Sequence, residues 1–294
     1  MRAPIGLICG ALLAAMVQTH AAGPVGQHPD EDDIESENLF GVTVGSDTEE
    51  AGATGVGIET VARFGKRDGR YTGIGKKLEF SYGLTDSISV AFGLLADYHR
   101  IIGVTGFTDT RALRFNGIGG ELRWRVIERR PGSFGLTLRL EPSRQRVEES
   151  TGLRTTLFGS ENKLILDTEL VKDRVFGAVN LLYELERARA IGSPDWEHES
   201  TIGVAVAAAV RVRPKMFAGA ELRYLRAYEG LLPNIFQGDA WYLGPTLHWQ
   251  FAPKAWLTAA WNVQVAGREA GTSARLDLTN FERHQILLKA GIEF

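Results

Sequence analysis

The sequence predicts an all-β protein, an antiparallel up-and-down transmembrane β-barrel of about 12 strands with short periplasmic turns and longer extracellular loops. Three observations predict it. Apolar residues recur at every second position from about residue 53 onward, as in strands with one apolar face. The connections alternate between short turns and long polar loops. Beyond the N-terminus the longest apolar run is Val204 to Val210, far short of the ~20 residues a spanning helix needs. A chain with such strands crosses a membrane only as a closed barrel, where every backbone group pairs between strands.

Composition agrees once the period is known. The chain has 294 residues, 33 Lys and Arg against 36 Asp and Glu, a net charge of −3, and 44% apolar residues. That apolar content supports a folded protein, and the lack of a basic excess excludes nucleic acid as a partner. The mean hydropathy of −0.10 resembles a soluble protein only because alternating strands average an apolar face with a charged one. The 34 glycines suit many turns and tight strand crossings.

The N-terminus reads as a secretory signal peptide over residues 1–22: Arg2, then an apolar stretch from Ile5 to Val17, then Thr19-His20-Ala21-Ala22 with small residues suited to cleavage. The only cysteine, Cys9, lies inside it. Bulky Ile8 before Cys9 and the apolar run after it argue against a lipoprotein. An exported chain without disulfides suits a bacterial envelope protein. Residues 23–52 form a polar lead-in with the acidic run Asp30-Glu31-Asp32-Asp33, then Glu35 and Glu37. Such a run is expected to be a solvated tail. It lacks the ligand spacing and central glycine of a calcium loop and is too short for a folded plug domain.

Residues 53–294 form the barrel. Val56, Ile58, Ala62 and Phe64 oppose Glu59 and Arg63; Leu78, Phe80 and Tyr82 oppose Lys77, Glu79 and Ser81; Val90, Phe92 and Leu94 oppose Ser89. Leu122, Trp124 and Val126 oppose Glu121, Arg123 and Arg125, and Leu136, Leu138 and Leu140 oppose Arg139 and Glu141. Leu164, Leu166 and Leu170 oppose Lys163, Asp167 and Glu169; Val179, Leu181 and Tyr183 oppose Glu184 and Glu186; Val204, Val206 and Val210 oppose Arg211. Leu222 and Tyr224 oppose Glu221 and Arg223, Leu247 and Trp249 oppose His248, and Trp261 and Val263 oppose Asn262. Ile286, Leu288, Ile292 and Phe294 oppose Arg283 and Lys289. Short turns fall at residues 84–86, 130–132, 172–173, 214–215 and 253–254, and long loops near 99–112, 142–158, 189–197, 227–238 and 266–279. The first hairpin, near Arg67-Asp68-Gly69, is short on the long-loop side.

Period two alone does not say which face points inward. Charges of both signs on one face, aromatics near strand ends (Tyr82, Trp124, Trp241, Trp249, Phe251) and an apolar-face Phe294 favour lipid outside and a polar lumen. With these features the chain resembles a bacterial outer-membrane β-barrel, inserted after export through a cleaved signal peptide. That resemblance implies that Phe294 is part of the signal read by the barrel-assembly machinery, and that the partners are outer-membrane lipid and lipopolysaccharide. The lead-in Glu37-Asn38-Leu39-Phe40-Gly41 and the turn Gly83-Leu84-Thr85-Asp86 are similar to an uncharacterised family of predicted barrels. A looser likeness is to outer-membrane proteins associated with aromatic-degradation pathways. Neither family supplies a known site.

The lumen face is where chemistry is expected. Its candidates are Glu59, Arg63, Lys77, Glu79, Glu121, Arg123, Arg125, Arg139, Lys163, Asp167, Glu169, Glu184, Glu186, Arg211, Glu221, Arg223, His248 and Arg283. Mixed signs predict cross-strand pairing that narrows the lumen. The expected function is a passive channel or uptake protein for a small solute. Two alternatives stand beside it: a lipid-directed hydrolase using Ser200 and His198, and a structural or surface-interaction barrel with a closed lumen. His198-Glu199-Ser200-Thr201 matches only His-x-Ser of the outer-membrane phospholipase signature, and no Gly-x-Ser-x-Gly elbow occurs. The scattered histidines form no metal pattern, and the glycine pairs fit neither a dinucleotide nor a phosphate loop, so no cofactor or metal is expected.

Overall fold

The computed structural model describes residues 34–130 and 132–294; the predicted signal peptide and the run Asp30–Asp33 lie outside the described residues. Glu35–Phe294 is one compact unit. It holds twelve strands: β1 (Thr54–Phe64), β2 (Arg70–Thr85), β3 (Ile88–Ile102), β4 (Thr110–Ile127), β5 (Phe134–Val147), β6 (Arg154–Val171), β7 (Val175–Ala190), β8 (Glu197–Arg213), β9 (Met216–Glu229), β10 (Ile235–Ala252), β11 (Ala255–Glu269) and β12 (His284–Glu293). Each pairs antiparallel with its sequence neighbours, and β1 pairs with β12 to close the barrel, Ile58 opposite Ala290. Closure leaves no unpaired edge, which a lipid environment requires. Among the described residues no helix is long and apolar enough to cross a membrane.

Burial fixes the sense of the alternation. Phe80, Phe92, Leu140, Leu181 and Leu243 are 44–48% exposed in mid-strand, whereas Glu221, Arg123 and Asp167 are at most 3% exposed. A soluble β-fold shows the reverse. The apolar faces therefore point out as a lipid-facing wall, and the charged faces line the lumen. The strand-end aromatics Tyr82, Trp124, Trp249 and Phe251 lie on the outer face, and Phe294 is 66% exposed just past β12.

The strands outrun the apolar pattern at the loop end. β3 continues to Ile102, β4 starts at Thr110, β5 continues to Val147 and β6 starts at Arg154, so the loops are shorter than alternation suggests. Backbone pairing continues after the outer face has become polar, since the ladder does not depend on side-chain hydropathy. Only the β11–β12 connection, residues 270–283, runs past its expected end. A register irregularity in β4 brings Asn116 inward. Its amide donates to Asp97 and to Gln145 (2.9 Å) and accepts from the Arg146 and Val147 amides (3.0 and 2.7 Å). Gly117 beside it has φ 138°, and a Cβ there would lie 2.0 Å from the Arg144 carbonyl oxygen. Only glycine fits.

Candidate functional site

The lumen is occupied by the chain itself. Residues 35–50 of the lead-in fold into the turn end of the barrel, where Ser36, Leu39, Phe40, Thr43, Val44 and Ser46 are buried. Of the acidic run expected as a solvated tail, Asp30–Asp33 lie outside the described residues, while Glu35 is exposed and Glu37 half-buried. A polar segment is not bound to bulk water when a polar wall offers the same hydrogen bonds. A short irregular segment can hide its backbone only if side chains satisfy it. Here the wall does so from many strands. Glu221 (β9) accepts from the Val42 amide (3.3 Å), the Thr43 amide (2.8 Å), Thr43 Oγ1 (2.9 Å) and Asn262 Nδ2 (2.6 Å). Asn180 (β7) accepts from the Val44 amide and donates to the Val44 carbonyl, both at 2.8 Å. Arg123 (β4) donates to the carbonyls of Gly45 (2.7 Å) and Asp47 (2.8 Å), and Thr137 (β5) donates to that of Ser46 (2.5 Å).

Ion pairs and cross-links complete the seat. Ser46 Oγ donates to Asp167 (β6, 2.5 Å), and Asp47 receives Arg129 at 2.9 Å and Arg125 at 3.7 Å. Thr258 (β11) donates to the Asn38 carbonyl at 2.6 Å, and His248 (β10) lies 2.8 Å from Thr258 Oγ1 and stacks on Trp256. Ser81 (β2) donates to Glu49 at 2.6 Å. The segment thus reaches wall positions around most of the lumen's circumference. Gly41, with φ 113°, makes the sharp bend; a Cβ there would stand 3.0 Å from Ala260 and from Thr246. Desolvation in the crowded lumen and the carboxylates of Glu293, Glu37, Asp47 and Glu49 push Glu35 up to about 9, although its side chain still reaches open space. Burial pushes Glu37 up to about 7 against the pull of Arg123.

Beside the plug, β1, β2, β4–β6 and β12 carry an ion-pair ladder. Lys77 contacts Glu79 (2.6 Å) and Glu141 (2.8 Å); Arg139 contacts Glu121 (2.7 Å), Glu141 and Glu161 (3.5 Å); Lys163 contacts Glu161 (2.8 Å) and Lys289 contacts Glu59 (3.1 Å). The carboxylates of Glu79, Glu121 and Glu141 lie close enough together to hold a cation, but Lys77 and Arg139 already fill that role. A cavity of about 80 Å³ remains between plug and ladder, lined by Glu37, Glu79, Arg123, Arg139 and Lys289 among others.

Toward the loop end two connections lean inward. In the β5–β6 loop Glu149 pairs with Arg63 at 2.6 Å, Tyr71 donates to the Ser150 carbonyl at 2.8 Å, and His99 Nε2 lies 2.7 Å from the Glu149 carbonyl. In the β11–β12 loop Asp277, Phe281 and Glu282 are buried, and Tyr242 donates to the Glu282 carbonyl at 2.6 Å. Glu282 pairs with Lys66 at 3.2 Å; burial opposes its charge, but Lys66 and Arg63 hold it below the usual carboxylate range. The β7–β9 wall differs. Glu161 faces Glu184 across the strands, Glu186 faces Glu199, and Glu199 faces Glu229. Among the described residues no Lys or Arg is in ion-pair distance of Glu184, Glu186, Glu199 or Glu229.

A family model matches residues 32–294, covering most of the lead-in together with the barrel. The chain belongs to that family, a family of unknown function (DUF6662). No curated protein matches the sequence. Among solved structures, the COG4313 outer membrane channel from Pseudomonas putida F1 is 12% identical, with a TM-score of 0.56 over 85% of this chain and 98% of that one. The NanC porin is 9% identical, with TM-score 0.46 over 81% and 98%, and the CymD monoaromatic hydrocarbon channel 10% identical, with TM-score 0.44 over 88% and 98%. The fold is that of a bacterial outer-membrane β-barrel.

The expected lumen residues divide among these structures. Arg123, Arg125, Asp167, Glu221 and His248 hold the plug, while Glu59, Lys77, Glu79, Glu121, Arg139 and Lys163 form the ladder. Glu169 instead caps the β6–β7 turn by accepting from the Asp173 amide. Arg211 packs on Phe217, and Arg223 lies over Tyr242 and donates to Gln285 at 2.5 Å. Arg283 stands at the loop end just before β12. Ser200 is 2% exposed and its Oγ has no hydrogen-bond partner, so it forms no nucleophile–base hydrogen bond with His198. Asn180, Thr137, Thr258 and Asn262, on the polar faces of their strands but not among the expected candidates, join the site; a neutral polar residue on a lumen face carries no signal of what it will meet.

Proposed function

We propose that the protein is a passive channel for small solutes, closed at its turn end by residues 35–50 and biased toward cations by the β7–β9 carboxylates. The observation that carries this reading is the nature of the seat. The plug is held chiefly by hydrogen bonds to a polar wall, each worth about 1 kcal/mol net and up to about 3 with a charged partner. Water can replace such bonds when the segment leaves, whereas an apolar core would resist exposure. Unpaired carboxylates along the path lower the energy of a cation and raise that of an anion. The shared fold with a protein described as an outer membrane channel agrees with this reading.

Planar-bilayer recording of the full chain tests it. Wild type is expected to show brief, rare openings with a reversal potential favouring cations, and Arg123→Gln with Glu221→Gln should lengthen them. Silence of both proteins, with the variant correctly folded, would favour the closed structural barrel, which the filled lumen also suits.

A further inference from the structure

Outside the barrel, where β5, β6 and β7 pass beyond the apolar belt, cations gather without anions. Register places Arg144, Phe158 and Arg187 in one cross-strand row, and Arg189 opposite Thr156 in the next outward-facing row. Phe158 is 46% exposed, which fixes this row as outward-facing. Trp196, from the β7–β8 loop, lies 4.1 Å from the Arg187 guanidinium and 4.7 Å from that of Arg189, with its ring 6.2 Å from Phe158. Arg144 lies 5.9 Å over Phe158. Among the described residues no carboxylate is within ion-pair distance of Arg144, Arg187 or Arg189. A shallow concavity bordered by Thr156, Arg189 and residues 190–194 adjoins the group.

Such stacking restrains an arginine while leaving its N–H donors free, and a fixed guanidinium fork suits phosphate oxygens. Below the arginines, the outer faces of the same strands carry Leu138, Leu140 and Leu181. Adjacent strands lie roughly 5 Å apart, so Arg144 and Arg187, two strands apart, present separate points of positive charge about 10 Å from each other. One phosphate cannot satisfy both. A lipid with two phosphates on a broad headgroup and acyl chains beneath fits the charge, the spacing and the apolar wall together.

We infer that Arg144, Arg187 and Arg189, braced by Trp196 and Phe158, bind the two phosphates of lipid A, the bis-phosphorylated glycolipid of lipopolysaccharide. The acyl chains then lie on the leucines below, and the loop end of the barrel sits in the leaflet that holds this lipid.

The test is native mass spectrometry of the full chain in detergent, titrated separately with bis-phosphorylated lipid A, its monophosphoryl form, phosphatidylglycerol and inorganic phosphate. Lipid A should bind tightest and weaken as salt rises. The double variant Arg187→Gln, Arg189→Gln should bind it at least tenfold more weakly, with partial rescue in Arg187→Lys, Arg189→Lys. Heat-modifiable gel mobility confirms folding of each variant; Arg187 is exposed and Arg189 half-buried, both on the outer face rather than in the lumen. Equal affinity of wild type and the Gln variant would overturn the inference. So would equal binding of phosphatidylglycerol, which would make the patch a general anionic-lipid surface, or competition by inorganic phosphate at lipid A concentrations, which would make it a free-anion site.

Discussion

The two sides of the lumen follow different electrostatic rules. Along β1, β2, β4–β6 and β12, rows of bases such as Arg123, Arg139 and Lys163 lie next to rows of acids such as Glu141 and Glu161, so that Arg139 by itself meets Glu121, Glu141 and Glu161. At the loop end of β7–β9, Glu186, Glu199 and Glu229 stand opposite one another with no base in that row. Balanced charge in a confined space ties the wall together. Unbalanced charge contributes nothing to the wall's cohesion, and its effect falls on whatever passes. The contrast separates the side of the barrel that holds shape from the side that can discriminate between solutes.

The largest expected effect comes from breaking the balanced side. Arg139→Gln leaves Glu121 without its cation, and Glu141 and Glu161 with only Lys77 and Lys163, a loss of about 3 kcal/mol for an interrupted buried ion-pair group. The thermal midpoint in heat-modifiability gels should fall clearly. Glu184→Gln with Glu186→Gln should leave that midpoint unchanged or slightly raised, because like charges are being removed. Opposite results for the two variants would erase the distinction.

A pH effect follows from the plug. Glu35, raised to about 9, and Glu37, raised to about 7, both start from 4.5 when free. A carboxyl whose value rises on seating favours the seated state fully below 4.5, and that preference is lost as pH rises through the seated value. Seating should therefore weaken between about pH 5 and 9, with open probability rising across that window. Glu35→Gln with Glu37→Gln should flatten the profile, and a pH response unchanged in this variant would assign it to other groups.

Smaller still is the effect on selectivity. Glu184→Gln with Glu186→Gln should reduce the cation-to-anion permeability ratio by a few-fold, about 1 kcal/mol of bias, as read from reversal potentials in a salt gradient. Ser200→Ala should change neither stability nor conductance measurably, since Ser200 Oγ has no hydrogen bond to lose.

The barrel is legible in the sequence because period two is a property of each strand alone, and twelve such segments with alternating connections leave few other folds. The division of lumen residues is less legible. Glu121 and Glu221 look alike in sequence, each an acid on an alternating strand. One meets Arg139 at 2.7 Å and the other meets the backbone of Thr43, and that difference depends on strand register and on where a distant segment lies. The plug escapes a sequence reading because its polar composition suits water and a polar lumen equally. Leu39-Phe40 within it, at 1% and 0% exposure, is the available sign that the segment is not a solvated tail. The outer arginines are hidden for a related reason: at the loop end polar residues occupy both strand faces, and alternation no longer distinguishes them.

The most direct test of a releasable plug places a thiol at position 44, where Val44 is 3% exposed and bonded through its backbone to Asn180. The only native cysteine, Cys9, falls within the predicted signal peptide, so Val44→Cys would introduce the single thiol of the processed chain. A small charged thiol reagent should react slowly with Val44→Cys alone, and much faster when Glu221→Gln is added, with the bilayer current changing as modification proceeds. A conducting barrel in which the introduced thiol stays unreactive throughout would contradict the account, because ions would then be passing while the plug remained in place.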